Sequence, residues 1–437
     1  MKFLLSFLLV FLFVFDGYSQ SVSAAKAASV TEFDVNGLKV IFKRRSSSPT
    51  VSAGLFVRGG VRGQTAENAG IEGLTLSAAT EAGRKYPREA LRKELSHTGT
   101  IIGSSSAPDF SVVSLATTSE NFDRSWDVFT DIILHPAFAQ DDVDRVRNAA
   151  LAGLRDATSS PDGALRDLED KIVNAGHPYA NDPDGTIATI SRLTADDLRA
   201  YHKNLLQTSR LLLVVVGDIR LDDLKKAVTS AFSGLPRGTY KETPISPLSF
   251  AQPSLDITQR ELSTNYIKGV FAAPSLSSPD YYAMRVAIAI LKGRVYEEVR
   301  TKRNLSYAPD ADMDMRAANS AFIYVTAVDA NQAVRVMLDE VEKMRTQEID
   351  EDEFTNVPGY FLTMYYLDQE TNAAQAGELA RYELIGGGWR NAEKFLDGVR
   401  SVKPADVLAV AAKYMKNIRF VVIGNRNAID RSVFLRK

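Results

Sequence analysis

The sequence contains no cysteine. That excludes disulfides, a thiolate nucleophile, a thiolate zinc site and a lipid-anchored N-terminal cysteine. Histidine is nearly as scarce. His97, His135, His177 and His202 are the only four in 437 residues, separated by 38, 42 and 25 residues. No two can share a helical turn, so two imidazoles gripping one metal from a single helix face are excluded as well. Neither sign of charge is in excess: 52 basic residues stand against 54 acidic ones, a net charge of −2. Such a chain has no global attraction for nucleic acid or an anionic membrane. Long apolar runs are absent beyond the N-terminus, so no stable membrane insertion is expected.

The one long apolar run is Phe3–Phe15, 13 residues lying between Lys2 and the small-residue stretch Ser19–Ala28. A membrane-spanning helix takes about 20 residues, so residues 1–28 are expected to be a secretory signal. The chain is then exported: periplasmic in a Gram-negative source, secreted otherwise. The composition, 45% hydrophobic and 24% charged, is that of a globular protein with a real core.

Strand and helix signals alternate along the chain. Asn36-Gly37 marks a hairpin turn between two strand-like runs, and VSAGLFVRGG (51–60) gives a third strand. A helix is expected over Glu67–Ala82. The loop before it lacks the spacing and the Lys-Ser/Thr of a phosphate-binding loop. His135 and His177, each followed by Pro, read as turn or cap residues. Thr194 caps a helix that leads into LLLVVVGD (211–218), a continuous apolar strand. Pro236, Pro244, Pro247 and Pro253 make 236–260 an extended linker. Gly386–Gly388 reads as a turn between helices.

The second half repeats the plan of the first. LTADDLRAYHKNLLQTSRLLLVVVGD corresponds to VKPADVLAVAAKYMKNIRFVVIGN, with Gly217 and Gly424 separated by 207 residues and Asp196 and Asp406 by 210. A domain-sized period points to two copies of one domain, 29–235 and 261–437.

Several stretches in joint order resemble the insulinase/pitrilysin superfamily of zinc metallopeptidases, the inverzincins: NGLKVIF, VSAGLFVRGG, HPAF at 135–138, HPY…GT at 177–186, LTADDLRAYHKN with VVVGD, and GRVYEEVRTKRNLSYA at 293–308. The chain is most similar to short two-domain bacterial members related to the mitochondrial processing peptidase subunits. The resemblance implies an α/β (α+β) fold of two homologous domains. Each is a mostly antiparallel sheet packed with helices, and together they form half of a clam-shell.

The resemblance also implies a motif that this chain lacks. H-x-x-E-H falls on GIEGLTLS with its first His at Gly73, its Glu at Leu76 and its second His at Ser77; the distal Glu falls near Gly153, 76 residues beyond Ser77. All three metal ligands and the general base are missing. Glu72 and Glu81 are close by, but without an imidazole partner they read as solvated helix-surface charges. The second-domain motif is retained in VRTKRNLSY, with Arg300 and Tyr307 seven residues apart. Read alone, Arg300 is a surface charge and Tyr307 a core residue. The resemblance makes them groups that reach a facing chain's site, bind substrate backbone and stabilise an oxyanion, work that suits a guanidinium and a phenol.

The expectation is therefore a non-catalytic subunit with no cofactor of its own. Its partner would be a homologous chain carrying H-x-x-E-H and zinc, and the pair would act on unfolded peptides. The rival expectations are a structural core-type subunit and a stand-alone peptide-binding homodimer.

Overall fold

In the computed structural model, which describes residues 30–436, the Asn36-Gly37 signal is a tight hairpin turn: both residues have positive φ, 51° and 89°. The expected signal at 1–28 lies outside the described residues. The turn joins β1 (Val30–Val35) to β2 (Leu38–Arg44). There follow β3 (Thr50–Arg58), α1 (Ile71–Ala79), α2 (Arg88–Thr98), β4 (Ile101–Ser106), β5 (Phe110–Thr118), α3 (Phe122–Leu134), α4 (Gln140–Ser159), α5 (Pro161–Ile172), the single turn α6 (Ile187–Ile190), α7 (Ala195–Leu205), β6 (Leu211–Gly217) and α8 (Leu221–Phe232). Thr194 caps α7 as expected, in a reciprocal capping box with Asp197.

The second half holds β7 (Ser254–Gln259), β8 (Asn265–Ala272), α9 (Tyr281–Val295) running into a π-helical turn (Tyr296–Thr301), β9 (Asp310–Met313), β10 (Ser320–Ala327), α10 (Ala330–Thr346), α11 (Glu351–Asp368), α12 (Asn372–Ile385), α13 (Phe395–Ser401), α14 (Pro404–Tyr414), β11 (Arg419–Gly424) and α15 (Arg431–Phe434). Gly386–Gly388 is a turn, ending α12.

The two sheets carry the internal repeat. Their strand orders are β1-β2-β6-β3-β5-β4 and β7-β11-β8-β10-β9. In each, one pair is parallel, β2 with β6 and β7 with β11, and every other pair is antiparallel. The orders superpose strand for strand, and β1 alone has no counterpart. The proline-rich stretch is extended only as far as 253, because Ser254–Gln259 is recruited into the second sheet beside β11. Nor does the stretch before it hang free. Leu248 and Phe250 are buried, Asn417 Nδ2 donates to the Phe250 carbonyl at 2.7 Å, and the Arg419 guanidinium lies 4.5 Å over the Phe250 ring.

Each sheet is covered on both faces because the halves exchange helices. α12 of the second half packs on β3 and β6 of the first; α5 of the first half packs on β8 and β11 of the second. This explains the unbroken apolar run of β6, all of which is buried. Leu211, Leu213 and Val215 enter the core under α3 and α8, while Leu212, Val214 and Val216 enter the core shared with the second half. The turn at Pro108-Asp109 locks the halves further. The buried Asp109 carboxylate accepts from the Tyr179 hydroxyl at 2.6 Å and from the Ala317 amide at 3.0 Å.

A lighter clasp joins β1 to the segment after α12. Glu32 accepts from the Trp389 indole at 2.7 Å and from Arg390 at 3.1 Å, with Lys39 at 3.2 Å. Trp389 above all, then Arg390 and Lys39, hold the Glu32 carboxyl down at about 2, against 4.5 for a free glutamate. A depressed carboxyl stabilises the fold above its unfolded pKa and loses that contribution as pH falls through the folded one. Glu32→Gln is therefore expected to flatten the acid limb of the stability profile between pH 4.5 and about 2, measured by urea unfolding. An unchanged limb would count against the clasp.

Candidate functional site: a cavity at the degenerate metal motif

α1 is shorter than expected, 71–79, and starts at a glycine for a steric reason. Gly70 has φ 86°, and a Cβ on it would sit 2.7 Å from the Gly185 Cα. The loop 182–186 can thus press against the start of the helix. The face turned to the sheet carries Glu72, Thr75, Leu76 and Ala79, all buried. The opposite face carries Gly73, Ser77 and Thr80. It opens on a cavity of ≈ 1090 Å³ bounded by β4, α4, α5 and the loop leading into α6.

Three of the four motif positions meet at this cavity: Gly73, Ser77 and Gly153. Ser77 Oγ lies 3.2 Å from Ser104 Oγ, and Gly153 faces open space. The fourth, Leu76, does not join them. It is 4% exposed and belongs to the core between the first sheet and its helices. Where a general base would stand, this chain has a packing residue.

The donor set does not fit zinc. Two glycines and a serine replace the three ligands, and among the described residues no group of three or more His, Cys, Asp or Glu is placed to hold a metal. None of the four histidines lines the cavity, and three of them have structural roles. His177 caps the short turn after it by accepting from the Tyr179 amide at 3.2 Å, His135 ends α3, and the buried His202 ring bonds the Ile133 carbonyl at 2.8 Å. The far wall of the cavity carries Asp167, Asp170, Asp182 and Asp184. Burial, then the charges of Glu169 and Asp182, pushes the Asp170 carboxyl up to about 7.

Glu72 corrects the sequence-based expectation. It is fully buried instead of solvated, pointing inward from the first turn of α1. Ser111 on β5 donates to one oxygen at 2.6 Å; Tyr201 on α7 and Arg210 donate to the other at 2.8 and 2.9 Å. Burial pushes this carboxyl up, while Arg210, Ser111 and Tyr201 oppose the shift. Glu81 is partly exposed just beyond the helix, paired with Arg145 at 2.6 Å.

Arg300 and Tyr307 lie apart from this cavity, on the second half. Tyr307 is not a core residue: it is 78% exposed. Arg300 stands on the π-helical turn and donates from Nη1 to the Tyr307 carbonyl at 2.8 Å. Within the described residues neither Arg300 nor Tyr307 lines the cavity that holds Gly73, Ser77 and Gly153.

Residues 39–182 match the family described as insulinase (peptidase family M16), and residues 192–357 match the peptidase M16 inactive domain. The chain belongs to the M16 peptidase family. It is similar to subunit 1 of the mitochondrial cytochrome b-c1 complex of Bos taurus, 24% identical over 63% of this chain and 57% of that protein. It is also similar to an uncharacterized zinc protease of Mycobacterium leprae, 22% identical over 89% of this chain and 90% of that one. Among solved structures, a peptidase M16 inactive domain from Pseudomonas fluorescens matches with TM-score 0.83 at 20% identity, covering 91% of this chain and 98% of the other. A chain of complex III2 from Candida albicans matches with TM-score 0.80 at 17% identity, over 92% and 98%. These likenesses make it an M16 fold with a duplicated α/β architecture.

Proposed function

We propose that this chain is the non-catalytic subunit of a heterodimeric zinc metalloendopeptidase. The observation that carries the reading is the mismatch between the two motifs. Gly73, Ser77 and Gly153 converge on one cavity with no metal-ligating atom among them, and Leu76 is sunk in the core. Arg300 and Tyr307, by contrast, stand intact at the surface. A homologous partner carrying H-x-x-E-H would supply the metal. This chain would supply donors for the scissile carbonyl and part of the wall that receives unfolded peptides. The apolar N-terminal run supports export of such a pair.

The isolated chain is expected to bind no stoichiometric zinc and to cleave nothing. Affinity purification from the source is expected to bring down a homologue of similar size with an intact motif. One zinc per purified chain, with peptidase activity, would overturn the proposal. A second reading, a structural subunit of a membrane complex, is favoured by the likeness to the cytochrome b-c1 and complex III subunits. Co-purification with a respiratory complex would select it.

A further inference from the structure

The Arg300 guanidinium is held in an unusual way. It lies 5.2 Å from the ring centre of Tyr296, four residues earlier on the π-helical turn, and 5.6 Å from that of Tyr307. Its surroundings contain acid, yet none of it is spent on Arg300. Glu298, two residues away, is taken by Lys302 at 2.6 Å and by Arg303. Among the described residues no carboxylate lies within ion-pair distance of Arg300. The loop that follows is folded back on the turn by its own hydrogen bonds. The Leu305 amide donates to Val299, the Asn304 amide to Arg300, Asn304 takes a left-handed φ of 51°, and Ser306 is buried. That fold brings the Tyr307 carbonyl onto Nη1. Among the described residues the guanidinium makes no other hydrogen bond, and the two rings beside it are open, Tyr296 being 45% exposed and Tyr307 78%.

An aromatic face attracts a cation without neutralising it, whereas a carboxylate would consume its hydrogen-bonding fork. We propose that Tyr296 is a positioning residue. With Tyr307 it clamps Arg300 in a fixed, uncompensated state, so that the guanidinium meets an incoming carbonyl or oxyanion without first breaking an ion pair or ordering its own side chain. This inference rests on the subunit role proposed for Arg300, but the clamp is a property of the chain alone and can be tested alone. The ring does the work, so phenylalanine replaces Tyr296 and leucine does not.

Two measurements test it. In the isolated chain, modification of Arg300 by phenylglyoxal is followed by peptide mapping. Tyr296→Leu is expected to speed it about two- to five-fold, the worth of one exposed cation–π contact, and Tyr296→Phe to leave it near wild type. Equal rates in all three proteins would overturn the clamp. In the assembled pair, with labelled casein as substrate, Tyr296→Leu is expected to lower kcat about five-fold with little change in KM, and Tyr296→Phe to restore it. Arg300→Ala is the control. If it lowers turnover and Tyr296→Leu does not, the positioning role is wrong. If Arg300→Ala itself has no effect, the subunit role is wrong while the phenylglyoxal result still judges the clamp.

Discussion

Replacing Glu72 with alanine is expected to cost the fold about 3–5 kcal/mol, because it strips one partner from a buried ion pair and strands the other. The stranded groups are identifiable. Arg210 is 9% exposed and would keep its charge with no anion nearby; the Tyr201 and Ser111 hydroxyls would lose their acceptor. These groups sit on different elements, so the carboxylate ties α1 to β5, to α7 and to the start of β6. Arg210 also donates to the Arg58 carbonyl and lies under the Tyr240 ring, 5.2 Å from its centre, so the damage extends to the end of β3 and the connector. Glu72→Gln keeps the shape and some hydrogen bonds but not the charge, and should fall between alanine and wild type. Glu81→Ala is the contrasting case. Its pair with Arg145 is partly solvated, 28% and 34% exposed, and such pairs contribute about 0–1 kcal/mol. Urea midpoints of the isolated chain measure all three. Equal losses for Glu72→Ala and Glu81→Ala would refute the buried network.

That contrast shows where the sequence was legible and where it was not. Local chemistry announced itself. Asn36-Gly37 needs positive φ and got a hairpin, Thr194 made a cap, and the continuous apolar run LLLVVVG is a strand, buried throughout. The repeat was legible because topology follows such elements. Glu72 was not, since its partners Ser111, Tyr201 and Arg210 are distant in sequence and only the fold assembles them. An isolated glutamate in the first turn of a helix looks like an ordinary surface charge. β9 was missed because DADM is too short and too acidic to read as a strand; β10 recruits it by pairing. β7 was hidden by the prolines before it. In the candidate site, Gly73, Ser77 and Gly153 could be placed by resemblance, but that Leu76 had turned into core required the packing. Tyr296 carried a faint signal, an aromatic four residues before Arg300 on a helix, which has meaning only once the ring is seen beside the guanidinium.

If the chain serves a zinc-bearing partner as proposed, Arg300→Ala in that pair is expected to lower turnover by about 10²–10³, the loss seen when one preorganised oxyanion donor is removed, with the assembly itself intact. The structure gives reasons for both parts. Arg300 pairs with no carboxylate among the described residues and spends one donor on the Tyr307 carbonyl. It is partly exposed and the two rings it touches are themselves open to solvent, so its removal strands no buried charge and should barely move the urea midpoint. A large kinetic effect with a negligible stability effect is the signature of a group kept for a ligand and not for the fold, the reverse of Glu72→Ala. Arg300→Lys should recover only part of the rate. A lysine keeps the charge but loses the planar fork and the stacking surface that Tyr296 and Tyr307 present. Tyr307→Phe removes the hydroxyl and leaves the ring and the backbone carbonyl in place. Its loss of rate therefore reports the phenol's own hydrogen bond, separated from the clamp. A rate unchanged in Arg300→Ala would leave the exposed pair without a chemical role and favour the structural-subunit reading, in which no step depends on a free guanidinium.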